Sequence, residues 1–232
     1  WSVLDGTLYK GQKLIDILNM RAGDQEFIGE KKFNSDVNIN NKRHLNVNTF
    51  PIKDVMEFPI LQESKKQRAV YNYNGLATNL IMNYTIFKTG DDWEKLLNKI
   101  FNKHIRVKDS VWFAQTVKYH NSSIHSKETG RYSFYANRYD YLRIAKGILD
   151  DWNNDTCIGK YLKTIYEQRI NKNKKSYDGD QYGQFSVSQY TKKYGGQFHF
   201  DVIGLKKRKI LAMDGFGGQQ VIVDFDTGRI IV

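Results

Sequence analysis

The 232-residue chain carries 36 basic against 25 acidic residues, a net charge of +11, and 40% of its residues are hydrophobic. That composition can fill a globular core, and no apolar run reaches the roughly eighteen residues that a membrane span needs. A single cysteine, Cys157, excludes an internal disulfide and is expected as a small buried thiol. The basic excess raises nucleic acid as a partner, but the lysines lie scattered among asparagines, as in NINNKRH, LLNKIFNKH and RINKNKKS. They do not gather with aromatics on one periodic face, so they are read as a solvated surface and nucleic-acid binding is disfavoured. The sequence opens on Trp1 with no charged-then-apolar leader, which predicts one piece of a longer or processed product.

In chain order, LYKGQKLIDILNMRAGD predicts a short amphipathic helix with Leu14, Ile15 and Leu18 on one side and Gly23 ending it. Residues 24–60 are polar, hold both prolines, Pro51 and Pro59, and are expected as an irregular excursion. GLATNLIMNYTIFKTGDDWEKLLNKIFNKHI predicts two helices separated at Thr89-Gly90. In the second, Trp93, Leu96, Leu97, Ile100 and Phe101 share a face, and Asp91 or Asp92 can cap the start. RVKDSVWFAQTVKYH alternates weakly and is expected to be extended. RYDYLRIAKGILDDWNN predicts a helix with Tyr141, Leu142, Ala145, Ile148 and Leu149 inward, and KYLKTIYEQRI a further one. Residues 171–188 read as a polar loop.

The chain then changes character. GGQFHFDVIG, KRKILAM, GQQVIVDF and GRIIV are short β-rich runs, so residues 190–232 are expected to supply the strands of a sheet, with a hairpin at DFDTGRI. VIV and IIV are continuous apolar runs, which predicts a sheet covered on both faces. Helices first and an antiparallel sheet last define an α+β class, expected as a single domain over 1–232.

The chemical motifs are sparse. His44, His104, His120, His125 and His199 form no HExxH or HxH pair, so no metal site is expected. Neither a phosphate-binding GxxxxGK[ST] nor a GxSxG elbow is present, and GFGGQQ leads into strand-like sequence rather than a helix, which argues against dinucleotide binding. Two features remain. MDGFGGQQVIV places Gly215, Gly217 and Gly218 beside a strand, where glycine costs stability; the glycines make a turn, or something approaches the backbone closely. VYNYNGLATNLI places Tyr73 just before a helix, where a phenol either packs as an ordinary aromatic or, with a lysine ammonium beside it, acts as a base.

The order of four blocks carries a family resemblance. LIDILNMRAGD resembles the "DLLxMTSG" helix end of penicillin-recognising serine hydrolases, the group of class C β-lactamases, DD-peptidases, related esterases and 6-aminohexanoate-dimer hydrolases. VYNYNGLATNLIMNYTIFKTG is similar to "FxYSNxxxxLLGxxIExxTG", ANRYDYLRIAKGILDD to "TARDLARFGxLLL", and AMDGFGGQQVIVDFDTGRIIV to "AxGxGGQxIxVxPxxxxVVV". The resemblance spans residues 12–232. It implies a β-lactamase/transpeptidase-like fold, with a helical region and an antiparallel sheet carrying helices on both faces.

It further implies Tyr73 as general base, with Gly215, Phe216 and Gly217 lining the oxyanion hole and Asn74 and Gln219 lining the substrate more weakly. Glycine would there let the carbonyl approach main chain. No cofactor is implied, and the periplasm or cell envelope is slightly favoured over the cytoplasm. Three departures qualify it. Asn74-Gly75 follows Tyr73 in place of Ser-Asn, and the third motif, in the glycine-rich strand block, has no Lys-Thr-Gly, which favours an ester or amide substrate over a β-lactam. No serine is followed three residues later by lysine, so the Ser-x-x-Lys nucleophile would come from an N-terminal fragment of the same protein outside this sequence. The rival readings are a catalytically inactive binding or scaffold homologue of the same fold and, third, a basic nucleic-acid binder.

Overall fold

The computed structural model describes residues 2–6, 9–21, 70, 71, 73, 75–108, 112–115, 132–173, 186–205, 207–215 and 218–232. The chain divides into two compact units, Trp1–Trp93 with Phe113–Phe134, and Glu94–Trp112 with Tyr135–Val232. The expected excursion over 24–60 lies outside the described residues.

In the first unit, α1 (Leu14–Leu18) is a five-residue helix. Its end is set by Met20, which adopts a left-handed φ of +54°, so the chain turns before Gly23 is reached. Ile17 and Met20 are buried, whereas Leu14 is 45% exposed, which corrects the expected apolar side. With little more than one turn, the face is chosen by contact with the next helix rather than by a long stripe. That helix, α2 (Gly75–Thr89), buries Ala77, Leu80, Asn83 and Ile86 at three-residue intervals. Asn83 Nδ2 donates to the Asn79 carbonyl (2.7 Å), which gives the buried amide nitrogen a partner. Thr89 ends the helix and Gly90, φ +50°, begins a 3₁₀ turn, as the Thr89-Gly90 break predicted.

The chain passes between units within α3 (Trp93–Leu97), of which Trp93 is buried. Asn98–His104 then winds as a π-helix, with the Ile105 N–H reaching the Ile100 carbonyl (2.9 Å), so the expected 3.6-residue face fails after Leu97. β1 (Trp112–Gln115) and β2 (Tyr132–Tyr135) form a two-stranded sheet.

The second unit is α+β. Two helices, α4 (Arg138–Asn153) and α5 (Cys157–Glu167), precede a six-stranded antiparallel meander. Its strands are β3 (Ile170–Asn171), β4 (Thr191–Gly195), β5 (Phe198–Val202), β6 (Ile210–Asp214), β7 (Gln220–Asp224) and β8 (Arg229–Ile231). Both helices start at side-chain caps: Asn137 accepts from the Asp140 N–H (2.8 Å), and Thr156 from the Gly159 N–H (3.0 Å). Cys157, expected inside, opens α5 and is exposed, because the inward positions of that helix go to Gly159, Leu162 and Ile165.

Register explains the core. Phe200 faces Leu211 and Leu211 faces Val223 across β5, β6 and β7, and all three are fully buried. Trp152 of α4 stacks on Phe225 (4.0 Å between centroids, 13°), and Tyr166 of α5 meets Trp152 and Phe200 edge-on. Ala145, Leu149 and Trp152 are the buried stripe of α4; Leu142, expected inward, is 43% exposed. Coverage of both sheet faces also fails at the edge, where Ile231 of β8 is 61% exposed. The β7–β8 hairpin forms as predicted, its turn held by Asp224, whose carboxylate accepts from the Asp226 and Thr227 N–H groups and pairs with Arg208.

Gly159 sets the helix spacing, since a Cβ there would lie 1.8 Å from the Asp151 carbonyl oxygen. Gly159→Ala is therefore expected to destabilise the protein by about 2–3 kcal/mol or more, read from the urea midpoint of a cooperative unfolding curve, because a rigid backbone atom cannot yield as a side chain would.

Candidate functional site

The sequence-derived residues fall on the two units. Tyr73 belongs to the first and lies just ahead of α2 with 58% of its surface exposed. Its neighbour Tyr71 is buried, and burial, followed by the nearby Tyr73, pushes the Tyr71 phenol well above its ordinary range. The same unit holds a cavity of about 360 Å³ lined by Leu4, Tyr9, Leu14, Ile17, Leu80 and Tyr84; Tyr73 is not among its lining residues.

Gly215 and Gln219 belong to the second unit and come together. The Gly215 N–H donates to the Gln219 carbonyl (2.8 Å) and the Gly218 N–H to the Gly215 carbonyl (3.2 Å), which closes the β6–β7 turn. A Cβ at Gly215 would sit 2.9 Å from Gln219 Oε1, and Gly218 has φ +88°. Turn geometry thus accounts for these two glycines, and the Gly215 amide is already committed within the turn. Asn74, Phe216 and Gly217 lie outside the described residues.

One constellation in the second unit had no sequence counterpart. Lys172, just past β3, is 5% exposed. Its ammonium donates to the Ser188 carbonyl and lies 3.4 Å from Thr191 Oγ1 and 3.5 Å from His199 Nδ1. A donor facing Nδ1 requires a lone pair there, so His199 is neutral with its proton on Nε2. Among the described residues no carboxylate lies within ion-pair distance of Lys172. Burial lowers its pKa from 10.5 to about 8, Asp214 pulling the other way, and burial with the Lys172 charge lowers His199 from 6.5 to about 3.

A hydroxyl relay joins this group to β6. Ser186 donates its one proton to Asp214 Oδ2, so the Ser186–Ser188 contact (2.5 Å) has the Ser188 hydroxyl as donor. The Ser188 N–H also donates to Ser186 Oγ (3.2 Å), and Thr191 Oγ1 donates to the Ser188 carbonyl (3.0 Å). Asp214 ends β6 and directly precedes Gly215. Lys172 was hidden in the run NKNKK, which reads as solvated surface. His199 offered the only signal, as the polar member of Phe198-His199-Phe200, where strand alternation turns it away from the Phe200 core.

No protein-family model matches the chain, and no curated protein matches it. No described helix is long and apolar enough to cross a membrane.

Both titrations bear on stability. At pH 7 Lys172 is charged in folded and unfolded chains, so its full burial penalty is present; between about 8 and 10.5 the folded chain releases the proton first, and stability rises with pH. Lys172→Met is expected to abolish that rise, which is on the order of 3 kcal/mol, in urea unfolding curves taken across the window. His199 has the opposite edge: from pH 6.5 down to about 3 the unfolded chain takes up a proton that the folded chain refuses, so stability falls.

Proposed function

We propose that this chain is the C-terminal portion of a serine hydrolase of the penicillin-recognising fold that cleaves ester or amide bonds. The observation that supports the reading best is the DGFGGQ turn. It joins two antiparallel strands, and its described residues Gly215, Gly218 and Gln219 are exposed, the Gln219 side chain lying against Gly215 and leaving Gly218 open. Further support comes from the placement of Tyr73 immediately before a fifteen-residue helix that ends at Thr89, and from the third block lying on α4.

In this mechanism a serine followed three residues on by lysine, carried by another segment, attacks the carbonyl. The Tyr73 hydroxyl, ionised with the help of that lysine, takes the serine proton and returns it to the leaving group. Main-chain amides of the glycine-rich stretch are the donors assigned by the family resemblance to the tetrahedral oxyanion, each worth about 3–4 kcal/mol, and the Gly215 amide, used inside the turn, is not one of them. The absence of Ser-x-x-Lys from the sequence favours a second reading, a binding homologue without catalysis.

A fluorophosphonate probe separates the two when applied to the protein with its accompanying polypeptide, followed by peptide mapping. The labelled serine is expected on a Ser-x-x-Lys segment outside residues 1–232, and Tyr73→Phe should slow labelling by about 10²–10⁴-fold. Label on a serine of this chain overturns the mechanism. No label at all supports the binding homologue.

A further inference from the structure

We propose that Lys172 is a positioning residue for the Asp214–Gln219 turn, acting through the Val187–Tyr190 3₁₀ turn rather than by touching it. The inference rests on the hydrolase reading for what the turn is used for, but the coupling itself can be measured without a substrate.

The chain of contacts is short and one-directional. The Lys172 ammonium holds the Ser188 carbonyl, and residues 186–188 present the Ser186 hydroxyl to Asp214. Asp214 is the last residue of β6, and the next amide, that of Gly215, closes the turn on Gln219. A hydrogen bond donated by an ammonium is stronger than one donated by a neutral amine, and a buried one is less relieved by water. Losing the charge therefore weakens the grip on Ser188, and with it the grip of Ser186 on Asp214. It also removes the attraction that Asp214 exerts on the charged form of Lys172.

The other groups around Lys172 do not substitute for it. Thr191 Oγ1 shares the Ser188 carbonyl but carries no charge, and His199, facing Lys172 from β5, is already neutral above pH 6.5. Asp214, from β6, is the other titratable group that bears on Lys172, and its charge favours the ammonium. Lys172 thus changes charge between neutral and mildly alkaline pH, and its effect arrives at the turn through the Ser188 carbonyl and the Ser186 hydroxyl.

The test uses the Met213 methyl group, which lies on β6 one residue before Asp214 and is one of only four methionines. In protein labelled with ¹³C-methyl methionine, with Met213→Leu to assign the peak, the Met213 resonance is expected to shift in one step with a midpoint near pH 8. In Ser186→Ala that step should be lost, while the His199 ring proton, which senses Lys172 directly, keeps it. Lys172→Met, if it folds, should show neither step. The Ser186 variant carries the test if Lys172→Met does not fold. A Met213 resonance that stays still from pH 6.5 to 9.5 in the unaltered chain overturns the proposal. So does a step that survives in Ser186→Ala, since it would then be the field of the lysine charge and not its grip on the turn. A protein that shows the coupling but no serine labelling would retain this inference and lose the hydrolase reading.

Discussion

The packing of α4 and α5 on each other and on the sheet is the constraint from which the second unit follows. At Gly159 the two helices approach until the backbone of one meets the Cα of the other, a spacing only glycine allows. That spacing lets Trp152 lie flat on Phe225 while Tyr166 stands edge-on between Trp152 and Phe200. The aromatic line ties the C-terminal ends of both helices to β5 and to the residue that follows β7, and so orients the meander beneath them.

The exit from α5 carries that order to the buried lysine. The Arg169 guanidinium lies on the Tyr166 ring, donates to the Tyr166 carbonyl and pairs with Asp201 of β5 (2.9 Å). Gly195 of β4 adds to the tightness, since a Cβ there would be 2.7 Å from the Ile165 carbonyl. The chain leaves the helix directly onto the edge of β4 as β3, and two residues later Lys172 has no way to reach solvent. A buried ammonium with no ion-pair partner among the described residues costs stability, and it is kept among a carbonyl, a hydroxyl and a neutral imidazole beside the turn that the hydrolase reading uses. Under that reading the local cost sits next to a turn in use, the pattern expected where a protein departs from its most stable arrangement.

Much of the fold was legible in local terms. The Thr89-Gly90 break and the DFDTGRI hairpin are short-range devices, formed by neighbours in the chain, and each appears where its chemistry predicts. The errors have one origin. Leu14 and Leu142 face outward, Cys157 is exposed, and the face of α3 dissolves into a π-helix after Leu97, because which side of an element is buried depends on what packs against it. Of the candidate site, Gly215 and Gln219 were named as residues, but their mutual contact replaces an expected open amide with a closed turn.

By itself the sequence determined the α+β class, the position of strands β4 to β8 within residues 190–232, the β7–β8 hairpin, and the absence of a Ser-x-x-Lys nucleophile from this chain. These are matters of periodicity, turn chemistry and residue identity, which neighbouring residues settle. Only the tertiary structure decided that Lys172 is buried, that His199 is its neutral acceptor, and that Ser186 joins them to Asp214. Those groups come from four separate parts of the chain, and desolvation is a property of everything that surrounds a charge, which no local pattern encodes.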